Sequence, residues 1–282
     1  MMRTINAENF NLADTIECGQ TFSWMREEKG YINPDVGQVV YVEQHGNKLH
    51  YETSDRNIDL RKLFRLDDPL LQIQDEIAKD KIMRESIAFA PGLRLVSDEF
   101  FPCLISFILS IQSNIPRMHG CMHSLRQKYG HIYEFRGKTF YGFPSPEQLS
   151  IASTQDLKEL MFGWRSSFIV GTTASILTGE VDPQELGKLN YAEAHRRLKS
   201  LHGVGDKVAD CVCLFSLGHL EAFPIDVWIE KVINQHYDIF KTSGKSYSKR
   251  SLAAREYFGR YAGYAQEYLY NYARLGEARL VL

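Results

Sequence analysis

The stretch Leu201-His202-Gly203-Val204-Gly205-Asp206-Lys207-Val208-Ala209-Asp210-Cys211, followed by Phe223-Pro224-Ile225-Asp226-Val227, decides the fold. It reads as a helix end, a tight turn and a new helix start. Two glycines flank one apolar residue, so the backbone can turn sharply with no Cβ in the way. Val204 can point inward and pin the turn. Amide N–H groups left over at the turn and at the next helix start form an anion seat that fits a phosphate. Asp206 is expected to cap a helix whose apolar residues Val208, Val212 and Phe215 recur at i, i+4 and i+7.

Lys207 falls in the first turn of that helix, where the positive helix end disfavours a cation. A neutral amine is a nucleophile. Cys211 and Leu214 lie at i+4 and i+7 from Lys207, so the three share a face. Asp226 precedes the helical pattern Val227–Ile233 and is expected to be its N-cap. Taken singly, Lys207 reads as a solvated lysine and Asp226 as a cap. Their joint placement around a phosphate-binding turn points to chemistry.

Gly203-Val204-Gly205-Asp206-Lys207-Val208-Ala209-Asp210-Cys211 with Pro224-Ile225-Asp226-Val227 closely resembles the helix-hairpin-helix base-excision DNA glycosylases, and within them the 8-oxoguanine DNA glycosylase/lyases. The resemblance implies that Lys207 attacks the sugar C1′ and that Asp226 assists. It implies an α+β fold, with a small N-terminal antiparallel, TBP-like β-sheet domain followed by an all-α helix-hairpin-helix domain. His202, Gly203, Val204 and Gly205 would then hold a DNA phosphate.

Bulk composition sets bounds. The 282 residues with 44% hydrophobic content suit one large or two ordinary domains. A net charge of −2 is low for a nucleic-acid binder, so basic residues must cluster. Lys241, Lys245, Lys249, Arg250, Arg255 and Arg260 offer such a cluster. The five cysteines, Cys18, Cys103, Cys121, Cys211 and Cys213, show no framework spacing and read as reduced intracellular thiols. No four-cysteine run closes the chain, so the iron–sulfur cluster of the endonuclease III-like branch is not expected. The first residues hold no apolar signal core, and no apolar run reaches membrane-spanning length. An intracellular, monomeric protein is expected, in cytoplasm or nucleoid if prokaryotic.

Along the chain, Gly37–Gln44 and Lys48–Thr53 read as strands about a turn at His45-Gly46-Asn47, with Thr21-Phe22-Ser23-Trp24 alternating beside them. From Leu60 the pattern turns helical. Asp68-Pro69 starts a helix, and Phe100–Leu109 reads as buried. Ala90-Pro91-Gly92 is a breaker, which predicts domains 1–92 and 93–282.

Four further segments resemble the same family. Cys18-Gly19-Gln20-Thr21-Phe22-Ser23-Trp24 matches a Gly-Gln-x-Phe-x-Trp run in which the glycine carbonyl accepts N7–H of the damaged base. Ordinary guanine has a lone pair at N7, and a buried carbonyl facing it goes unpaired at a cost of about 1–3 kcal/mol. Gln112-Ser113-Asn114-Ile115-Pro116-Arg117 resembles an asparagine-rich turn that fills the gap left by the extruded base; Asn114 and Arg117 match, while Gln112 and Ser113 replace asparagines. Gly163-Trp164-Arg165 resembles Gly-Tyr-Arg, implying an aromatic wedge at Trp164 and an arginine that reads the orphaned cytosine at Arg165. Ala265-Gln266-x-x-Leu269-Tyr270 resembles Ala-Gln-x-x-Leu-Phe, implying that Gln266 reads the Watson–Crick edge and that Tyr270 and Cys211 sandwich the base. Stacking of a base on an aromatic is worth about 1–3 kcal/mol. Trp228 stands where the family has a phosphate-contacting histidine.

The expectation is a bifunctional enzyme that flips 8-oxoguanine out of duplex DNA, excises it through a Lys207 Schiff base and cleaves the strand by β-elimination. No metal is required, although family hairpins hold a monovalent cation. A monofunctional alkylbase glycosylase, which does not need Lys207, and a non-catalytic DNA-binding hairpin stay open as alternatives.

Overall fold

Strand pairing and helix packing divide the chain at places that sequence order does not mark. The structure, a computed structural model, describes residues 2–239 and 244–276. It resolves into two units. One comprises Met1–Asn6, Thr21–Asp59 and Asp98–Gly205; the other comprises Ala7–Gln20, Leu60–Ser97 and Asp206–Leu282. The breaker at Ala90-Pro91-Gly92 falls inside the second unit, where the Gly92 carbonyl accepts the Asn11 amide at 2.8 Å.

In the first unit, β1 (Arg3–Asn6), β2 (Met25–Glu27), β3 (Gly30–Asn33), β4 (Val40–His45) and β5 (Lys48–Thr53) form an antiparallel sheet in the order β1-β5-β4-β3-β2. The β4–β5 hairpin closes at Gly46-Asn47, with His45 opposite Lys48. The edge strand β1 is mostly polar and carries no alternation strong enough to announce it. Thr21–Trp24 is not a strand. Its polar groups turn elsewhere: Thr21 Oγ1 accepts the Ser23 amide at 3.3 Å, and the Phe22 carbonyl accepts Arg126 Nη2 at 2.7 Å. A second hairpin, β6 (Ile132–Phe135) with β7 (Lys138–Tyr141), turns at Arg136-Gly137, both with positive φ. Phe135 joins Ile32, Val39 and Tyr41 in one core cluster.

The buried Arg126–Asp35 ion pair anchors this unit. Arg126 donates to Asp35 and to the Phe22 carbonyl, and Asp35 also accepts the Phe143 amide at 2.9 Å. Three chain segments therefore meet on one carboxylate. The helix Phe100–Leu109 is apolar around nearly its whole circumference and is buried accordingly.

The second unit is helical: Leu12–Glu17, Leu60–Leu63, Leu70–Ile77, Lys81–Phe89, Asp206–Phe215, Val227–His236, Tyr247–Phe258 and Ala262–Asn271. Pro69 stands at the N-cap of Leu70–Ile77 rather than inside it. Ala262–Asn271 is buried along almost its whole length. Its tyrosines earn burial by bonding: Tyr264 donates to Asp68 at 2.7 Å, and Tyr268 donates to the Leu93 carbonyl at 2.9 Å and accepts Gln74 at 2.8 Å. Among the described residues, no helix is long and apolar enough to cross a membrane.

Candidate active site

The turn Leu201–Gly205 follows the helix Tyr191–Leu198. Gly203 adopts φ +85°, and a Cβ there would lie 2.2 Å from the Phe168 ring, so both conformation and space demand glycine. Val204 is buried and its amide donates to the Leu201 carbonyl at 3.1 Å, which pins the turn as expected. The His202 carbonyl accepts Thr172 Oγ1 at 3.1 Å. Asp206 is the first helical residue rather than the residue before it; its charge still lies in the helix's first turn.

Lys207 is half-buried in that first turn, and Cys211 is buried one turn on along the same face. Burial pushes the Cys211 thiol up to about 12, against the pull of the Lys207 charge. At that value the thiol stays neutral at physiological pH, which suits a packing surface rather than a nucleophile. Asp226 is the N-cap of Val227–His236, and both bonds, from the amides of Trp228 at 3.0 Å and Ile229 at 2.9 Å, fall on Oδ1. Burial raises the Asp226 carboxyl above its usual range, opposed by the Ile229 amide and by Lys207. Lys207 thus lies within electrostatic reach of both Asp226 and Cys211. Trp228 is half-buried with Lys231 Nζ 5.8 Å from its ring centre.

Gly19 has φ +104°, which glycine alone accommodates easily. The next side chain fixes it: Gln20 donates to the carbonyls of Thr15 and Arg94, both at 2.8 Å, and accepts the Val96 amide at 2.9 Å. On Ala262–Asn271, Gln266 is buried and its Oε1 has no partner. A buried acceptor without a donor is costly, about 1–3 kcal/mol, and in a pocket it marks a place for a ligand donor. Tyr270 is half-buried one turn on, with its hydroxyl pushed up by burial and by Asp226.

Glu267, which carried no signal in the sequence, belongs to this cluster. It is 1% exposed, with Oε1 unpartnered. Burial raises its carboxyl to about 7, against the Cys18 thiol beside it and Arg274, while Asp226 pushes the same way as burial. All of Gly19, Lys207, Cys211, Asp226, Gln266, Glu267 and Tyr270 lie in the second unit.

The first unit carries the remaining candidates. Asn114 caps the helix Ile115–Tyr129 by accepting the Arg117 amide at 3.0 Å. Gln112 sits at φ +49°. Arg117 is exposed and donates to the Met161 carbonyl at 2.9 Å. Trp164 is 46% exposed and packs edge-on against Phe168, which in turn packs against His202. Arg165 departs from expectation. It is 3% exposed, and its guanidinium donates to the carbonyls of Ile111 and Gln112. It braces the Gln112–Arg117 turn from below, because two backbone carbonyls with no helical partner offer it a matched pair of acceptors.

The C-terminal basic cluster is partly neutralised. Arg250 bonds Glu230 and Asn234, and Arg260 bonds Glu76. Lys245 and Lys249 are exposed; Lys241 lies outside the described residues. All five cysteines are buried.

The chain is similar to known proteins along most of its length. The family model "8-oxoguanine DNA glycosylase, N-terminal domain" matches residues 3–104. A probable N-glycosylase/DNA lyase of Methanothermobacter thermautotrophicus is 33% identical over 218 residues, covering 70% of this chain and 68% of that protein. The crystal structure of Clostridium acetobutylicum 8-oxoguanine glycosylase/lyase, in complex with double-stranded DNA containing cytosine opposite the lesion, superposes with TM-score 0.88. It is 32% identical and covers 98% of both chains. A 3-methyladenine DNA glycosylase of Archaeoglobus fulgidus shares the fold, with TM-score 0.77, 20% identity, and 97% of this chain and 98% of that one covered.

Proposed function

We infer that this chain, which belongs to the 8-oxoguanine N-glycosylase/DNA lyase family, excises 8-oxoguanine from duplex DNA and cleaves the strand at the resulting abasic site. One observation carries the reading: an amine and a carboxylate, Lys207 and Asp226, interact in one unit alongside Cys211 and Tyr270. Each part of the reaction then has a group suited to it.

The damaged base leaves the stack and is sandwiched by Cys211 and Tyr270. Gln266 Oε1 accepts from the N1–H and N2–H donors of the purine, which satisfies an oxygen otherwise unpaired. The Gly19 carbonyl accepts N7–H. Undamaged guanine offers no proton there, so the enzyme discriminates through an unpaired buried acceptor.

As the bond between C1′ and N9 breaks, positive charge develops on the sugar. Asp226, ionised, stabilises it. Lys207 gives one proton to the departing base, its nitrogen bonds C1′ as the C1′–N9 bond breaks, and a second proton passes to the ring oxygen as the sugar opens, leaving an iminium. Loss of a proton from C2′ expels the 3′ phosphate, and water then releases the lysine. A monovalent cation held by carbonyls of the Leu201–Gly205 turn would strengthen the phosphate seat; no step depends on it. Trp164, Gln112, Ser113, Asn114 and Arg117 contact the duplex, with Arg165 holding the Gln112–Arg117 turn in shape. Amides of the His202–Gly205 turn take a backbone phosphate.

The test is trapping. Incubation with an 8-oxoguanine duplex and borohydride should give a covalent protein–DNA adduct that disappears in Lys207→Gln. Intact binding without an adduct would favour a passive hairpin. Release of methylated purines without an adduct would favour an alkylbase glycosylase.

A further inference from the structure

Two residues outside the expected site join the nucleophile's helix to the carboxylate's loop. Asp210 is fully buried, one turn beyond Lys207 on the helix Asp206–Phe215. Tyr247, the first residue of the helix Tyr247–Phe258, donates its hydroxyl proton to Asp210 Oδ2 at 2.7 Å. The same hydroxyl oxygen accepts the Ile225 amide at 3.1 Å. Ile225 is buried and immediately precedes Asp226. Ser251, one turn along from Tyr247, places its hydroxyl 3.4 Å from the same Asp210 oxygen.

We propose that the Tyr247–Asp210 pair is a positioning device that sets the distance between Lys207 and Asp226. The inference rests on the glycosylase/lyase reading above. The segment Phe223–Ile225 lies in neither helix nor strand, so no ladder of backbone bonds fixes where it delivers Asp226. A phenolic hydroxyl can donate to a carboxylate and accept an amide at one oxygen. It therefore ties the loop to the Lys207 helix through a single atom. Asp226 leans on the same tie, because its capping bonds fix only its C-terminal side. Misplacing reacting groups by about 1 Å can cost on the order of 100-fold in rate. As positioning residues, Tyr247 and Asp210 act through Lys207 and Asp226.

The experiment is Tyr247→Phe in the full chain, with Asp210→Asn as the variant that keeps an acceptor for the tyrosine and Asp210→Ala as the one that removes it. Three readouts are taken on one 8-oxoguanine duplex: duplex affinity, single-turnover excision rate and the borohydride-trapped fraction. Melting temperature is followed alongside. The expected result is a fall of about 10- to 100-fold in excision rate for Tyr247→Phe, with affinity within threefold of wild type and a protein that stays folded at assay temperature. Asp210→Asn should retain more activity than Asp210→Ala. Excision at the wild-type rate in Tyr247→Phe overturns the inference, as does a loss confined to affinity or one matching the unfolded fraction. If the wild-type protein forms no adduct, the catalytic reading falls and this inference with it. If it does and Tyr247→Phe is unimpaired, the inference alone falls.

Discussion

Asp226 carries two duties on one side chain. Oδ1 caps a helix by accepting two amides, while burial and Lys207 act on the carboxyl in opposite directions. Asparagine separates the duties, since its carbonyl caps nearly as well as a carboxylate but cannot carry negative charge. Asp226→Asn should lower excision roughly 100- to 1,000-fold, the usual loss when one preorganised electrostatic partner is removed. Thermal melting should stay close to wild type, and a large melting shift would mean that the cap, not the charge, was the principal role. Because burial raises the Asp226 carboxyl, the ionised form that the reaction needs appears later as pH rises than in a free aspartate. Lys207, Cys211 and Asp226 were legible because their signals are local: first-turn placement, helical spacing and an N-cap before an apolar run. Arg165 and Glu267 were not. The carbonyls that hold Arg165 belong to Ile111 and Gln112, remote in sequence, and Glu267 is distinguished only by what buries it.

Among the elements, the turn Leu201–Gly205 and the Arg126–Asp35 pair invite different predictions. Gly203→Ala forces a Cβ into the Phe168 ring at a left-handed φ. It should weaken binding to lesion-bearing and undamaged duplexes alike, because a phosphate seat reads no sequence. A loss confined to the lesion-bearing duplex would place the turn in base recognition instead. Asp35→Ala leaves Arg126 buried without its carboxylate and frees the Phe143 amide. Breaking such a pair from one side costs about 3–5 kcal/mol, measurable as a lower urea midpoint with unchanged slope. The same pair explains the element that sequence reading misjudged. Thr21–Trp24 alternates like a strand, yet Phe22 gives its carbonyl to Arg126, so no ladder forms there. The β6–β7 hairpin did have a local signal, Arg136-Gly137 between aromatic-rich runs, of the kind that favours a two-residue turn.

At the scale of the whole chain, each unit hides, among the described residues, one carboxyl whose proton affinity burial has raised to about 7: Asp98 in the first unit and Glu267 in the second. Unfolded, these groups titrate near 3.8 and 4.5. The folded state therefore binds their protons more tightly. That stability is full below the unfolded values and is lost as pH rises through about 7. A tenfold change in proton affinity is worth about 1.4 kcal/mol, so each carboxyl contributes on the order of 3 kcal/mol to the pH dependence. Urea unfolding between pH 4.5 and 8 should show a shallower decline in Asp98→Asn and Glu267→Gln than in wild type. An unaltered decline in both variants would mean that neither carboxyl is held protonated.

The sequence by itself determined the helix-hairpin-helix turn, the lysine and aspartate beside it, the α+β class and the family. Capping, helical periodicity and glycine-dependent turns are properties of a few neighbouring residues. Only the tertiary structure decided which side chains face inward. It decided that Arg165 braces a turn, that Glu267 joins the buried cluster, that Tyr247 and Asp210 clasp the loop before Asp226, and that the chain divides into interleaved segments. Those outcomes depend on desolvation and on partners distant in sequence, and neither is written in any local pattern of residues.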